Sequence, residues 1–214
     1  MISPEDRKRT KRFCQGQNGV HYGGVVRFVV VFYLLMGLAA QGLIHWRVDE
    51  DAPFDPYGLG GPDWPYYLLS AVTLVLAVHA GSVWAIKWWP ALRRGVREMR
   101  RWLGGLSTGR IFLLALASGV AEELLFRGWL LNEIGLLGSS LIFGLVHIPP
   151  NRDWLYWPVF AFFMGLVLGG LCLWSNSLVY AALAHVGINF INLLRLAPGS
   201  EEAGPFSARQ PGPH

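Results

Sequence analysis

Charge is scarce in this 214-residue sequence. Only 15% of its residues are Asp, Glu, Lys or Arg, while 53% are hydrophobic; a soluble domain carries about 25% charged residues. So little charge leaves too little polar surface to coat a globule in water. A mean hydropathy of +0.36 points instead to lipid as the solvent. Cysteine is scarcer still. Cys14 lies in a basic stretch and Cys172 in an apolar run, which excludes a disulfide framework and a CxxC metal site. The sequence also lacks an internal repeat, a separate soluble domain and HExxH, the strong zinc signature.

The net charge of +4 comes with a pI near 9.3. The basic residues do not interleave with aromatics as in a nucleic-acid groove, which argues against nucleic acid as a partner. They form two clusters flanking apolar runs, an arrangement suited to anionic headgroups and to topology control. One cluster is Arg7, Lys8, Arg9, Lys11 and Arg12; the other is Arg93, Arg94, Arg97, Arg100 and Arg101.

A helical span needs about 20 apolar residues. Six candidate runs are present: Val25–Trp46, Tyr66–Trp89, Ile111–Leu131, Leu136–Ile148, Leu155–Trp174 and Leu178–Leu194. The fourth is short and reads as a tilted or partial helix. Tryptophans 46, 64, 88, 89, 102, 154, 157 and 174 gather at the ends of the runs, as in an interfacial aromatic belt. The first run is too long for a signal-peptide h-region and no small-residue cleavage site follows it. The expected fold is therefore an all-α, polytopic transmembrane helix bundle of about six spans.

The loop after the first run carries Asp49, Glu50, Asp51, Asp55 and Asp63 against a single Arg47. The positive-inside rule then puts both termini in the cytoplasm. The expected organisation is a basic cytoplasmic tail (1–24), two N-terminal spans and a basic loop (25–106), a four-helix catalytic core (107–196) and a disordered tail rich in Gly, Pro and Ser (197–214). The lipid bilayer is the one partner composition requires; the oligomeric state stays open.

Ionisable groups occur inside these runs. The third holds Glu122, Glu123 and Arg127, the fourth His147, and the sixth His185 and Asn189, with Asn192 a turn further on. A charge at a helix centre costs about 2.5–3.5 kcal/mol on insertion scales. Several together are expected to face one another inside the bundle. Glu123 and Arg127, four apart with the acid first, share a helix face, whereas Glu122 is rotated by about 100° and need not share that partner. His185 and Asn189 project together, and Phe143 can pack beneath His147.

This set suits amide hydrolysis with water as nucleophile. Glu122, held out of bulk water, would serve as general base, and His147 would help hold or deprotonate the same water. His185 and Asn189 offer donors to an oxyanion. Glu123 with Arg127 would be support, and a purely structural ion pair is an open reading for them. His79 and Asn192 read as packing or interhelical hydrogen-bonding residues. Gly165, Gly169 and Gly170 put small residues four apart, as close helix packing requires. The Arg93–Arg101 stretch reads as an amphipathic segment on anionic lipid.

Glu122-Glu123-Leu-Leu-Phe-Arg127, Phe143-Gly-Leu-Val-His147 and His185-Val-Gly-Ile-Asn189 resemble the EExxxR, FxxxH and HxxxN/D motifs of the CAAX protease and bacteriocin-processing (CPBP, or Abi) family, in the family's order and without departure. The resemblance covers about Arg110 to Leu194. It implies a glutamic-type intramembrane endopeptidase with a cavity open to the cytoplasm. It also implies water activation by Glu122 and His147 and an oxyanion site at His185 and Asn189. The implied substrate is a membrane-associated protein or peptide: a prenylated CAAX end, a bacteriocin leader or a sorting signal. No cofactor is expected. The alternative is zinc, held by Glu122, His147 and His185. Small size and the lack of extra domains fit a bacterial plasma-membrane member.

Two other functions compete. Intramembrane Glu and His also build transporters and proton pathways, but those carry repeat symmetry or paired broken helices, which are not seen. A catalytically silent immunity or scaffold protein of the same fold is the other, and an intact motif set weighs against it.

Overall fold

The computed structural model describes residues 4–46, 57–59, 61–103, 106–149 and 154–196, the side chains of 4–22 and 101–103 excepted. The acidic stretch 49–55 and the tail 197–214 lie outside them. Among the described residues there is no strand; the chain is an all-α bundle.

Helix α1 runs Pro4–Trp46, so the helix extends back through the basic stretch before Val25. A 3-10 turn, Gly61–Asp63, leads into α2, Trp64–Trp88, with Pro65 in its first turn, where the missing N–H costs nothing. Pro90 ends α2: the residue before a proline is pushed out of the helical region, and Trp89 is extended at φ −107°, ψ 108°. Pro90 then opens α3, Pro90–Leu103. Leu92, Val96 and Met99 share one face of α3, and Arg93, Arg94 and Arg97 take the other.

Helix α4, Thr108–Glu123, passes directly into a π-helical segment, Leu124–Leu130, and then α5, Leu131–Val146. Gly135, at φ 72° and ψ 178°, breaks α5. That φ is one only glycine takes readily. The run after the break, Leu136–Val146, rises about 16 Å at 1.5 Å per residue, short of a hydrocarbon core about 30 Å thick. The fourth expected span is therefore a partial one. Helix α6 is Tyr156–Ser175 and α7 is Leu178–Leu196. Asn176, left-handed at φ 51°, ends α6, and the Ser177 N–H returns to the Cys172 carbonyl at 3.2 Å, a Schellman closure. Ser177 Oγ caps α7 by accepting from the Val179 N–H at 3.1 Å.

Among the described residues, five helices are long and apolar enough to cross a membrane: Gly23–Trp46, Gly61–Trp88, Thr108–Val146, Tyr156–Ser175 and Leu178–Leu196. The third contains the Gly135 break and so accounts for two of the six apolar runs. This is an integral membrane protein.

Close approaches give the helix directions. Gly37 of α1 faces Ala121 of α4, and Ile44 faces Gly128, so α1 runs parallel to α4. Val75 of α2 meets Gly187 of α7, and Ser82 accepts from Arg195, so α2 runs parallel to α7. Gly119 meets Val186 and Phe112 stacks on Phe190, so α4 and α7 are antiparallel. Gly165 and Gly169 of α6 lie on Ser140 and Leu136 of α5, and Gly144 lies on Phe162, again antiparallel. The expected close packing at Gly165 and Gly169 is present; Gly170 has open space beside it.

One end of the bundle therefore carries α3, the start of α4, the start of α6 and the end of α7. Trp154 Nε1 donates to Glu98 of α3 at 3.0 Å, and Arg100 Nη2 to the Arg195 carbonyl at 3.4 Å. The opposite end carries the α6–α7 turn, where Ser177 Oγ donates to the Gly58 carbonyl and Tyr180 to that of Leu59.

Candidate active site

Among six apolar runs, burying a carboxylate is tolerable only against a partner. Glu123 is fully buried and Arg127 is 2% exposed. Arg127 Nη1 donates to Glu123 Oε1 at 2.8 Å, with its other nitrogen aimed at the Gly165 carbonyl at 3.4 Å. Glu123 immediately precedes the π segment and Arg127 lies within it, a departure from α geometry often found at functional sites. A second donor converges on the same oxygen. His185 Nδ1 lies 2.6 Å from Glu123 Oε1. Because a carboxylate accepts, Nδ1 carries the proton. Glu123 is thus more than half of an ion pair: it fixes the orientation of His185 from the next helix.

Glu122 points elsewhere, as its 100° rotation requires. Its Oε2 lies 3.7 Å from His185 Nε2 and 3.9 Å from His147 Nε2. Both are too long for direct hydrogen bonds. His147 caps α5, and its Nδ1 sits 2.6 Å from the Phe143 carbonyl. A carbonyl can only accept, so Nδ1 is again the protonated nitrogen, and Nε2 is the one turned to Glu122. Two imidazoles, each anchored through Nδ1, therefore present Nε2 to one carboxylate oxygen.

Phe143 is the floor of this cluster. Its ring lies 4.5 Å from the His147 ring and 6.0 Å from that of His185, with the Arg127 guanidinium 4.5 Å above it. Phe126 meets it edge-on at 4.8 Å. The four-residue step from Phe143 to His147 stacks these side chains on one helix face. His147 keeps 22% of its side chain exposed, against 9% for Glu122 and His185, so access to the cluster is on the His147 side.

Asn189 lies one turn after His185, and its Nδ2 donates to Ser118 Oγ at 3.0 Å. All six expected residues thus meet at the junction of α4, the π segment, α5 and α7. The sequence reading missed two others. Ser118 anchors Asn189 from one turn before Glu122, and a hydroxyl four residues before a buried acid was the available signal. Tyr33, from α1, brings its phenol close enough to the Glu122 carboxylate to interact with it; nothing in its apolar run marked it. As for zinc at Glu122, His147 and His185, no cluster of three or more His, Cys, Asp or Glu side chains suited to a metal ion occurs among the described residues.

Comparison with known proteins agrees with the motifs. An uncharacterized protein, YpbD, of Bacillus subtilis (strain 168) is 29% identical over 121 residues, 56% of this chain and 64% of that protein. The chain thus spans just under two thirds of the relative's length. No solved structure matches. Residues 105–191, the stretch that holds all three motifs, match the family model described as type II CAAX prenyl endopeptidase Rce1-like.

Proposed function

We propose that this protein is an intramembrane endopeptidase that hydrolyses a peptide bond in a membrane-associated substrate with water activated by Glu122 and His147. One observation carries the reading: with Nδ1 donating to the Phe143 carbonyl, the His147 ring turns Nε2 toward the Glu122 carboxylate across 3.9 Å, and in the neutral ring that nitrogen carries a lone pair. Two acceptors facing each other need protons between them. A water molecule supplies both, donating one to Nε2 and one to Oε2 at ordinary lengths of about 2.8 Å. Its oxygen lone pairs then point away, toward a substrate carbonyl.

Attack forms the carbon–oxygen bond as Glu122 or His147 takes a proton from the water. The carbonyl becomes an oxyanion. His185 can donate to it through Nε2 when that nitrogen also carries a proton, and Glu123, bonded to Nδ1, is the carboxylate placed to hold that doubly protonated ring. Asn189 spends one amide proton on Ser118 and has a second to donate. Collapse breaks the carbon–nitrogen bond, and the proton taken from water passes to the leaving amine. Two donors aimed at developing charge are worth about 10²–10³-fold in rate each.

The family description makes prenylated CAAX peptides the first substrate to try. The arginine face of α3 supports an orientation in which that end of the bundle, and both termini, lie in the cytoplasm, in a bacterial plasma membrane. The catalytic core is then 107–196. The test is cleavage of a quenched farnesylated CAAX reporter peptide by the full chain in liposomes. Glu122→Ala and His147→Ala should each lower kcat by at least about 10²-fold while the protein still inserts and elutes as wild type. Cleavage retained in either variant overturns the assignment.

A further inference from the structure

Helix α1 lies outside the matched segment, yet it touches the site. Its protein-facing stripe is Val26, Val29, Val30, Tyr33, Met36, Gly37, Ala40, Leu43 and Ile44. The spacing of three and four is that of one helix face. Tyr33 is the single side chain on that stripe with a hydrogen-bonding hydroxyl, amide or charge. The remaining faces of α1 in this region are exposed, with Phe28, Phe32, Leu34, Leu35 and Leu38 all more than half exposed.

The one polar group on the stripe falls where α1 crosses Glu122. Gly37, one turn beyond Tyr33, brings the two helices together: a Cβ there would lie 3.5 Å from Ala121 Cβ, ordinary van der Waals contact. Glu122 is the next residue. The Tyr33 phenol meets its carboxylate, and the Phe32 ring stands edge-on to Tyr33 at 5.3 Å. Burying a phenol without a partner is costly, so an apolar residue would be the simpler choice on this stripe. A phenol that donates to a carboxylate restricts its rotation, and the oxygen at stake faces two imidazoles at 3.7 and 3.9 Å.

We propose that Tyr33 is a positioning residue: it holds the Glu122 carboxylate turned toward His147 and His185, so that α1 completes a site otherwise built from α4, α5 and α7. The proposal rests on the reading of Glu122 as general base. The phenol donates one hydrogen bond throughout and transfers no proton. Its contribution is to keep the base aligned with the water it deprotonates, so its loss appears in kcat and leaves ground-state binding unchanged.

The test uses the full chain in liposomes with the farnesylated CAAX reporter. Tyr33→Phe keeps the ring and removes the hydroxyl. It should lower kcat about tenfold with KM within about twofold of wild type, while Phe28→Leu, on the lipid side, leaves both unchanged. An unchanged kcat, or a loss confined to KM, overturns the proposal. A second measurement needs no substrate. The infrared difference between wild type and Glu122→Gln isolates the Glu122 carboxylate stretch, and the same difference in a Tyr33→Phe background should show that band displaced. A band that does not move overturns the hydrogen bond itself. If the wild type fails to cleave the reporter but the band moves, the endopeptidase reading fails and the contact stands.

Discussion

Helices α1 and α2 are as apolar as α6 and α7 but are spent differently. Within their most apolar stretches, 17% of α1 and 6% of α2 is buried inside the protein, against 44% of α6 and 33% of α7. The first pair therefore face almost entirely lipid, and the second pair share their surface between lipid and protein. In lipid an apolar side chain gains nothing by turning inward, so burial there reflects packing and polar contacts. The lesson is that hydropathy counts spans but does not rank them. The ranking comes from where glycines, hydroxyls and charges sit on each helix, and substitutions of one kind should have opposite consequences in the two regions.

The largest contrast is at arginine. Arg127→Met removes the charge partner of a fully buried Glu123. Breaking a buried pair from one side costs about 3–5 kcal/mol, because the remaining charge is stranded. His185 would lose its fixed acceptor geometry with it. The same change at Arg27, exposed on α1, should leave stability within about 0.5 kcal/mol. Equilibrium unfolding in mixed micelles compares the two; equal losses would show that the core is no better packed than the periphery.

Glycine gives the next contrast. A Cβ at Gly119 would lie 2.8 Å from Val186 Cγ2 and 3.0 Å from the Val186 backbone nitrogen, and backbone cannot step aside. Gly119→Ala should destabilise by about 1–3 kcal/mol, the usual range for overpacking. Gly42 on α1 and Gly81 on α2 have nothing within 4 Å of the added carbon. Gly42→Ala and Gly81→Ala should be neutral, or stabilising by up to about 1 kcal/mol through helix propensity. The same unfolding assay reads all three, and a silent Gly119→Ala would show that α4 and α7 are free to separate there.

This contrast also separates what was legible in the sequence from what was not. The six apolar runs follow from hydropathy, and their ends from the tryptophans that gather there. The gathering of Glu122, Glu123, Arg127, His147, His185 and Asn189 follows from the cost of leaving charge in lipid. That the fourth run is partial was visible in its length. Its cause, the turn at Gly135, was hidden because glycine is common in membrane helices. The π segment was hidden because a four-residue step pairs Glu123 with Arg127 in either helix type. The joint hold of Arg127 and His185 on Glu123 depends on how two helices are placed, and no spacing within one helix encodes that. Tyr33 was invisible for the same reason.

Ser118 provides the smallest and most specific test of the division. It donates to the Ala115 carbonyl of its own helix at 3.4 Å, a bond many membrane-helix serines make. It differs in also accepting from Asn189 Nδ2 at 3.0 Å. Ser70 on α2 makes only the local bond, to the Tyr66 carbonyl at 2.8 Å, and is exposed. Ser118→Ala should therefore lower kcat on the reporter by about fivefold, the equivalent of one neutral hydrogen bond near 1 kcal/mol, with unfolding unchanged. Ser70→Ala should change neither quantity. If Ser118→Ala leaves kcat intact, Asn189 holds its place without an anchor. If Ser70→Ala lowers kcat as much, the second helix contributes to the site in a way its lipid-facing surface does not suggest.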